Sequence, residues 1–357
     1  MTSACIIGIG GYSGSGKTTL IERVLAELKK ERLSVGVMKH TPHHRLVLDK
    51  EGKDTDRFYR AGADMVCAYD TNQAFLRYPK KDACIDDIID HFPPGLDLVL
   101  VEGYKGSAIG KVWIEEKKSG DLHIPDGKGP RLLLYRDDPG YFEKLLAYIH
   151  GELNRCHANR PVMAGLLIGG RSLRMGKTKT LLEVGGQTLV ERSFGILQKV
   201  AGRVVLLGSS DLPESLRSAD RLPDADGVEG PLSGIISALR WGPGSTWIIA
   251  AVDMPMMNEE AFRWLMGKRN PGVWAVLPRK DSDGPAETTG ACYEPAALEY
   301  LESLARRGVA RLQALAGHPR VITPEIPEPL QSAWHNINTP RDWQEIRGKI
   351  GIVHPAK

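Results

Sequence analysis

The sequence predicts an α/β protein of two domains, and three observations carry that prediction. The chain has 357 residues, 42% of them hydrophobic, which suits two domains of ordinary size with proper cores. An apolar run at Cys5-Ile6-Ile7-Gly8-Ile9 passes into Gly11-Tyr12-Ser13-Gly14-Ser15-Gly16-Lys17-Thr18-Thr19, and helical spacing begins at once in Leu20, Ile21, Val24, Leu25 and Leu28. The same strand-into-glycine arrangement recurs near mid-chain, at Leu166 to Leu182 (LLIGGRSLRMGKTKTLL). A strand that ends in glycines brings backbone N–H groups close to a ligand, and Arg or Lys just beyond adds positive charge. That combination suits a polyphosphate. Each half therefore opens on its own nucleotide loop.

Composition narrows the classes. A net charge of +3 is too small to imply nucleic acid. Cys5, Cys67, Cys84, Cys156 and Cys292 are scattered, odd in number and form no CxxC, so neither disulfides nor structural zinc are expected. The expected setting is a reducing cytoplasm. The first residues lack a basic segment ahead of their apolar run, and no apolar run reaches membrane-spanning length.

In the first half, Gly11 to Thr18 fits G-x-x-x-x-G-K-[ST] without deviation. Gly14, Ser15, Gly16, Lys17, Thr18 and Thr19 are the expected nucleotide contacts. Lys17 reaches the β/γ oxygens and the Thr18 hydroxyl can ligate Mg²⁺. Ser34 to Met38 reads as the next strand, followed by Lys39-His40-Thr41-Pro42-His43-His44. These histidines have no Cys or Glu at ligand spacing, so a phosphate or water contact is preferred over a metal. Lys50 to Asp56 reads as a polar loop leading to a helix that stops at Gly62. Leu98 to Val101 reads as a central strand ending at Glu102, a candidate to hold Mg²⁺ through water; a capping role for this carboxylate stays open. Lys111 to Arg136 alternates short strands with turns. Phe142 to Ile149 closes the half as a helix, and the polar stretch Gly151 to Pro161 is expected to be the linker.

GYSGSGKTT, MKHTPHH, DKEGKDT and LVLVEGYK, in this order, resemble the MobB family, the GTP-binding adaptors of molybdenum-cofactor guanylylation. The resemblance covers nearly all of residues 1–155. It implies GTP as the nucleotide, slow hydrolysis and a domain that assists a partner enzyme. There is no NKxD-type guanine motif, so base choice is not written in this half.

In the second half, Met163 to Ile168 reads as a strand. G-G-x-S-x-R-M-G-x-x-K then suits nucleotidyl transfer: amides and Arg174 hold the triphosphate, and Lys179 neutralises charge building on the α-phosphate and the leaving pyrophosphate. The spacing is not the G-x-G-x-x-G of a dinucleotide turn. A helix-like tail is expected from Leu181. Arg203 to Gly208 is a further strand. Leu222-Pro223-Asp224 leads to Gly230-Pro231-Leu232-Ser233-Gly234, a second loop that opens a helix and suits the nucleoside. Trp247 to Val252 is an apolar strand ending at Asp253, where a catalytic Mg²⁺ would be held; Asp253 as a helix N-cap is the competing reading. Val273 to Pro278 reads as a strand and Pro295 to Ala316 as a helix. Arg306, Arg307 and Arg311 there are equally compatible with an anionic ligand and with solvent. Asn336 and Asn338, at i and i+2, face one side of an extended segment and suit a polar heterocycle or a turn.

LIGGRSLRMGKTKTLL, PDADGVEGPLSGI, AAVDMP and HNINTP resemble the MobA family of molybdenum-cofactor guanylyltransferases, over about 162–346. The fold that this implies is a Rossmann-like, GT-A-like nucleotidyltransferase domain at 162–357, behind a P-loop NTPase-type domain at 1–157. By the resemblance, Leu167, Ile168, Gly169, Gly170, Lys179, Asp224 and Asp253 would bind GTP, with Asp253 on Mg²⁺ and Arg174, Lys179 and Asp253 catalytic. Asn336 and Asn338 would lie toward the pterin. Gly169-Gly170 is similar to the guanylyl rather than the cytidylyl members. Two departures are Leu207-Gly208-Ser209, where members often have Asn, and Pro285-Ala286-Glu287-Thr288-Thr289, where they have His-Pro.

The implied reaction makes molybdopterin guanine dinucleotide from GTP and Mo-molybdopterin, releasing pyrophosphate. The alternatives are a cytidylyltransferase and a non-catalytic, GTP-switched cofactor carrier. Expected partners are GTP, the molybdopterin cofactor, an acceptor molybdoenzyme or cofactor chaperone, and a second copy as a homodimer. Nucleic acid and membrane are not expected.

Overall fold

The computed structural model describes residues 4–12, 14–41, 51–78, 84–103, 109–117, 130–169, 179–309 and 311–350. The first sheet takes the order β2-β5-β1-β6-β7, from β1 (Cys5–Gly11), β2 (Val35–Lys39), β5 (Leu98–Glu102), β6 (Lys111–Glu115) and β7 (Leu132–Tyr135). All of its pairings are parallel. Between β2 and β5 lie a separate antiparallel hairpin, β3 (Val66–Tyr69) with β4 (Ala74–Arg77), and helices α2 (Asp54–Arg60) and α3 (Ile85–Ile89).

β5 explains the parallel sheet. Leu98 and Leu100 pack into one apolar cluster and Val99 and Val101 into another, so the strand is covered on both faces. The first cluster holds α1 (Lys17–Lys30), through Leu20, Ile21, Val24 and Leu28, and α4 (Tyr141–Ala158), through Leu145, Ile149 and Leu153.

The linker expected at Gly151 to Pro161 is helix for most of its length. α4 runs to Ala158 and leaves only Asn159-Arg160-Pro161 before the next strand. The apolar stripe continues past Gly151 as buried Leu153 and His157, beneath a solvent face whose polar residues imitate a loop.

The second sheet has the order β12-β11-β8-β13-β15-β14-β16. Its strands are β8 (Val162–Leu167), β11 (Arg203–Leu207), β12 (Arg221–Leu222), β13 (Thr246–Ala251), β14 (Ala275–Val276), β15 (Ala291–Tyr293) and β16 (Val321–Ile322). β12, β11, β8 and β13 run parallel, and β15 is antiparallel to both β13 and β14. Alternate residues of β13 serve opposite faces. Ile248 and Ala250 join α5 (Leu189–Gln198) and α7 (Glu259–Met266); Trp247 and Ile249 join α6 (Pro231–Trp241) and α8 (Leu298–Arg306).

Two helical expectations are corrected here. No helix starts at Leu181: a 3-10 turn at Lys179–Leu181 leads into a small hairpin, β9 (Glu183–Val184) and β10 (Gln187–Thr188). α5 starts only where Thr188 and Glu191 form a reciprocal cap. The helix expected over Pro295 to Ala316 breaks into a 3-10 turn, α8 and a second 3-10 turn at Leu312–Gly317. Arg306 there pairs with Glu302 on the surface, at 3.8 Å. The last helix is α9 (Pro340–Ile350).

Candidate active site

The carboxyl ends of β8, β11 and β13 converge on a pocket of about 860 Å³. Parallel α/β sheets bind ligands at that edge, because the strand ends leave backbone groups unpaired there. Leu167, Ile168 and Gly169 line it from β8, Ala251 to Asp253 from β13, and Asp224 from the turn beyond β12. Val228 to Pro231 line it at the mouth of α6, so the second glycine loop also reaches the pocket.

Lys179 is the central cation. Its Nζ lies 2.7 Å from the Ile337 carbonyl oxygen and 3.3 Å from Asp253 Oδ2. Ile337 N donates in turn to the Asp253 carbonyl at 2.8 Å. The segment around Ile337 is thus stitched to the end of β13, which brings Asn336 into the pocket wall. The Asn336 Oδ1 is buried with no hydrogen-bond partner among the described residues, so it is an acceptor available to a ligand N–H. Among the described residues the Asp253 side chain caps no helix: Asn258 accepts from Ala261 N and is the N-cap of α7.

Asn338 is not brought to this wall. It is exposed, and its backbone N–H donates to Asp342 Oδ2 in the capping turn of α9. The backbone of this residue takes the turn alternative, with its side chain exposed. Gly170 and Arg174 lie outside the described residues.

Gly208 has φ +91, and a Cβ there would stand 3.4 Å from the Cα and N of Gly169. A side chain would be strained by the backbone and would crowd the point where β8 and β11 open to the pocket. Around that point stand residues which sequence reasoning did not select: Ser209, Ser210, Thr180, Thr288 and Thr289. Thr180 Oγ1 sits 3.1 Å from Ser210 Oγ and donates to the Asp211 carbonyl at 2.9 Å. For Ser209 and Ser210 the available signal was positional, hydroxyl residues just past the carboxyl end of the parallel strand β11; Thr180, Thr288 and Thr289 offered none.

The first loop is a second candidate site. Gly16 is left-handed, φ 74, at the start of α1. Lys17 Nζ folds over the loop, 3.1 Å from the Gly11 carbonyl and 2.6 Å from that of Tyr12. Thr18 Oγ1 donates to Glu102 Oε1 at 3.2 Å, and Lys39 Nζ stands 3.4 Å from the same oxygen. Strands β1 and β5 are neighbours, which explains why the carboxylate at the end of one meets the hydroxyl beyond the other. Among the described residues, no three His, Cys, Asp or Glu side chains cluster in a metal-binding arrangement; His43 and His44 lie outside them.

A MobA-like NTP transferase domain model matches residues 164–321. A probable molybdenum cofactor guanylyltransferase of Pelotomaculum thermopropionicum is 30% identical over 190 residues, 51% of this chain and 90% of that protein. Another, of Opitutus terrae, is 31% identical over 201 residues, 54% of this chain and 98% of that protein. The chain belongs to the molybdenum cofactor guanylyltransferases. In the first half, the model of molybdopterin guanine dinucleotide synthesis protein B matches residues 6–129. A molybdopterin-guanine dinucleotide biosynthesis adapter protein of Haemophilus influenzae is 42% identical over 115 residues, 32% of this chain. The guanylyltransferase spans 64% of that adapter's length.

Proposed function

We propose that this guanylyltransferase moves GMP from GTP onto the terminal phosphate of Mo-molybdopterin and releases pyrophosphate. The observation that carries the reading is Lys179, held between Asp253 and the Ile337 carbonyl at the edge where β8, β11 and β13 end. A cation in that position favours charge that grows on the α-phosphate and the leaving pyrophosphate more than charge already present, which is what lowers a barrier. The substrate phosphate attacks directly, so no protein nucleophile is needed. The strand end formed by Leu167, Ile168 and Gly169 orients the GTP. Arg174 supplies a second cation, and Asn336 Oδ1 accepts an N–H of the heterocycle.

The donor set suits Mg²⁺ better than zinc. Asp253 and Asp224 offer carboxylate oxygens on the pocket wall, and Mg²⁺ takes one or two carboxylates while sharing phosphate oxygens and water. Bound there, it would neutralise the triphosphate. Thr18 and Glu102 offer the equivalent oxygen pair at the phosphate loop. We read the loop domain, to about residue 157, as a second GTP site with weak hydrolysis, and 162–357 as the transferase. A molybdoenzyme or cofactor chaperone is the acceptor, in the cytoplasm.

The test offers GTP or CTP with Mg²⁺ and Mo-molybdopterin and identifies the product by mass. Guanine dinucleotide plus pyrophosphate is expected. Preference for CTP removes the base assignment, and no transfer with either nucleotide leaves only a carrier.

A further inference from the structure

The two sheets meet at their amino-terminal edges. On the first sheet, Asp97 stands just before β5, and Arg32, Leu33 and Ser34 just before β2. On the second, Thr246 opens β13, Gly272 and Arg320 precede β14 and β16, and Glu294 follows the antiparallel β15, all at the same edge. Asp97 accepts from Ser34 N at 2.8 Å in its own half. It also accepts from Gly272 N at 3.3 Å and from Arg320 Nη1 at 3.3 Å across the joint. Arg32 Nη1 donates to the Pro319 carbonyl at 2.9 Å. A Cβ on Gly272 would stand 3.1 Å from Leu33 Cδ2, and one on Gly95 would stand 3.2 Å from Ala296 Cα. These are backbone-close contacts between the halves.

A second cluster closes the joint beside the connection. Glu294, only 3% exposed, accepts from Arg160 at 2.6 Å, Arg269 at 2.6 Å and Thr246 at 2.8 Å; His157, at the end of α4, lies 3.4 Å away. Chain path agrees with this arrangement. α4 returns from the carboxyl edge of the first sheet to its amino edge, where Cys156 touches Cys5 at 2.9 Å. Only three residues separate the end of α4 from β8, which begins at its own amino edge. So short a connection forces amino edge toward amino edge.

Both nucleotide sites stand at the carboxyl edges. Strands of this length rise about 20 Å, at 3.3 Å per residue. Each site therefore stands about that far from the joint, on opposite sides of it. Resting on the reading above of two nucleotide sites, we propose that the phosphate loop and the transferase pocket of one chain face away from each other across a fixed joint. Neither completes the other nor passes it a ligand within the chain. Covalent tethering raises effective concentration only where geometry permits both partners to engage, and here it does not.

The test is a spin-label distance on the full chain. Labels go on Asp137→Cys, exposed just after β7, and Asp226→Cys, exposed at the pocket mouth, with Cys67, Cys84 and Cys156 replaced by serine. A distribution centred above about 30 Å is expected, since each strand alone contributes about 20 Å. It should be unmoved by GTP with Mg²⁺. A distribution centred below that distance overturns the proposal, whether it is present from the start or appears only on adding nucleotide. The readout needs no catalysis, so absence of the guanine dinucleotide would sink the transfer reading and leave this one standing.

Discussion

Replacing Glu294 with alanine removes the carboxylate that three elements share. Arg160 and Arg269, with side chains 11% and 8% exposed, would remain near the joint without it. Removing one member of a buried ionic network costs about 3–5 kcal/mol, because the buried charges left behind lose their counter-charge. For a unit of this size each kcal/mol shifts Tm by about 2–4 °C, so a fall of about 6–20 °C is expected. The pH dependence gives a second reading. Burial pushes the Glu294 carboxyl up, but the His157 contact and the Arg269 and Arg160 guanidiniums outweigh it and hold the group well below the usual carboxylate range. A carboxylate depressed in the folded state stabilises above its unfolded value, about 4.3, and loses that contribution as pH falls toward the folded value. The gap between native and Glu294→Ala chains should therefore be widest at neutral pH and narrow below about pH 4. Calorimetry of the intact chain between pH 7 and pH 3 measures both. A loss below about 1 kcal/mol at pH 7, or a gap that widens on acidification, refutes the reasoning.

Asp253→Ala leaves Lys179, among the described residues, with the Ile337 carbonyl alone, and pyrophosphate release at saturating GTP should fall at least about 100-fold. Retained turnover would remove Asp253 from the mechanism. The Cys5 hydrogen bond, against burial and with help from Arg155, holds the Cys156 thiol down at about 7. Its alkylation rate should accordingly rise through a midpoint near pH 7, read by peptide mass after timed iodoacetamide, and a midpoint near 9 speaks against that environment. Thr188→Ala opens the cap in which Thr188 Oγ1 accepts from Glu191 N and Glu191 Oε2 accepts from Thr188 N. It should cost about 1 kcal/mol in urea unfolding, and no measurable change would make the cap dispensable.

What the sequence made legible was local. β1, β5, β8 and β13 are apolar runs that end at a glycine or an acid, and each is a strand buried on both faces. Leu167, Ile168, Gly169, Lys179, Asp224, Asp253 and Asn336 all line one pocket, though Lys179 and Asp253 lie 74 positions apart. Features set by tertiary contact were less visible. Nothing around Glu294 distinguishes it from a surface glutamate, because its arginines come from 134 and 25 positions away. Asp97 directly precedes an apolar strand and bridges to Arg320, 223 positions on. Asn336 lines the pocket, whereas Asn338 stands exposed where its N–H joins the cap of α9.

The two kinds of polar residue answer to different physics. Lys179, Asp253, Thr18 and Glu102 stand at carboxyl edges, partly open to solvent, where a charge can be exchanged with a ligand. Glu294 and Asp97 stand at amino edges, enclosed, where a charge can only be satisfied by the protein. A parallel sheet leaves its amino edge free of ligand duties, so that edge can be used to join one sheet to another. An apolar joint of the same area would tolerate sliding between the halves. Asp97, held by a backbone N–H from each side and by Arg320, accepts only one register. Net stabilisation from such buried charges is small, and their effect lies in refusing alternatives. In this chain the refused alternatives include the one in which the phosphate loop turns toward the pocket.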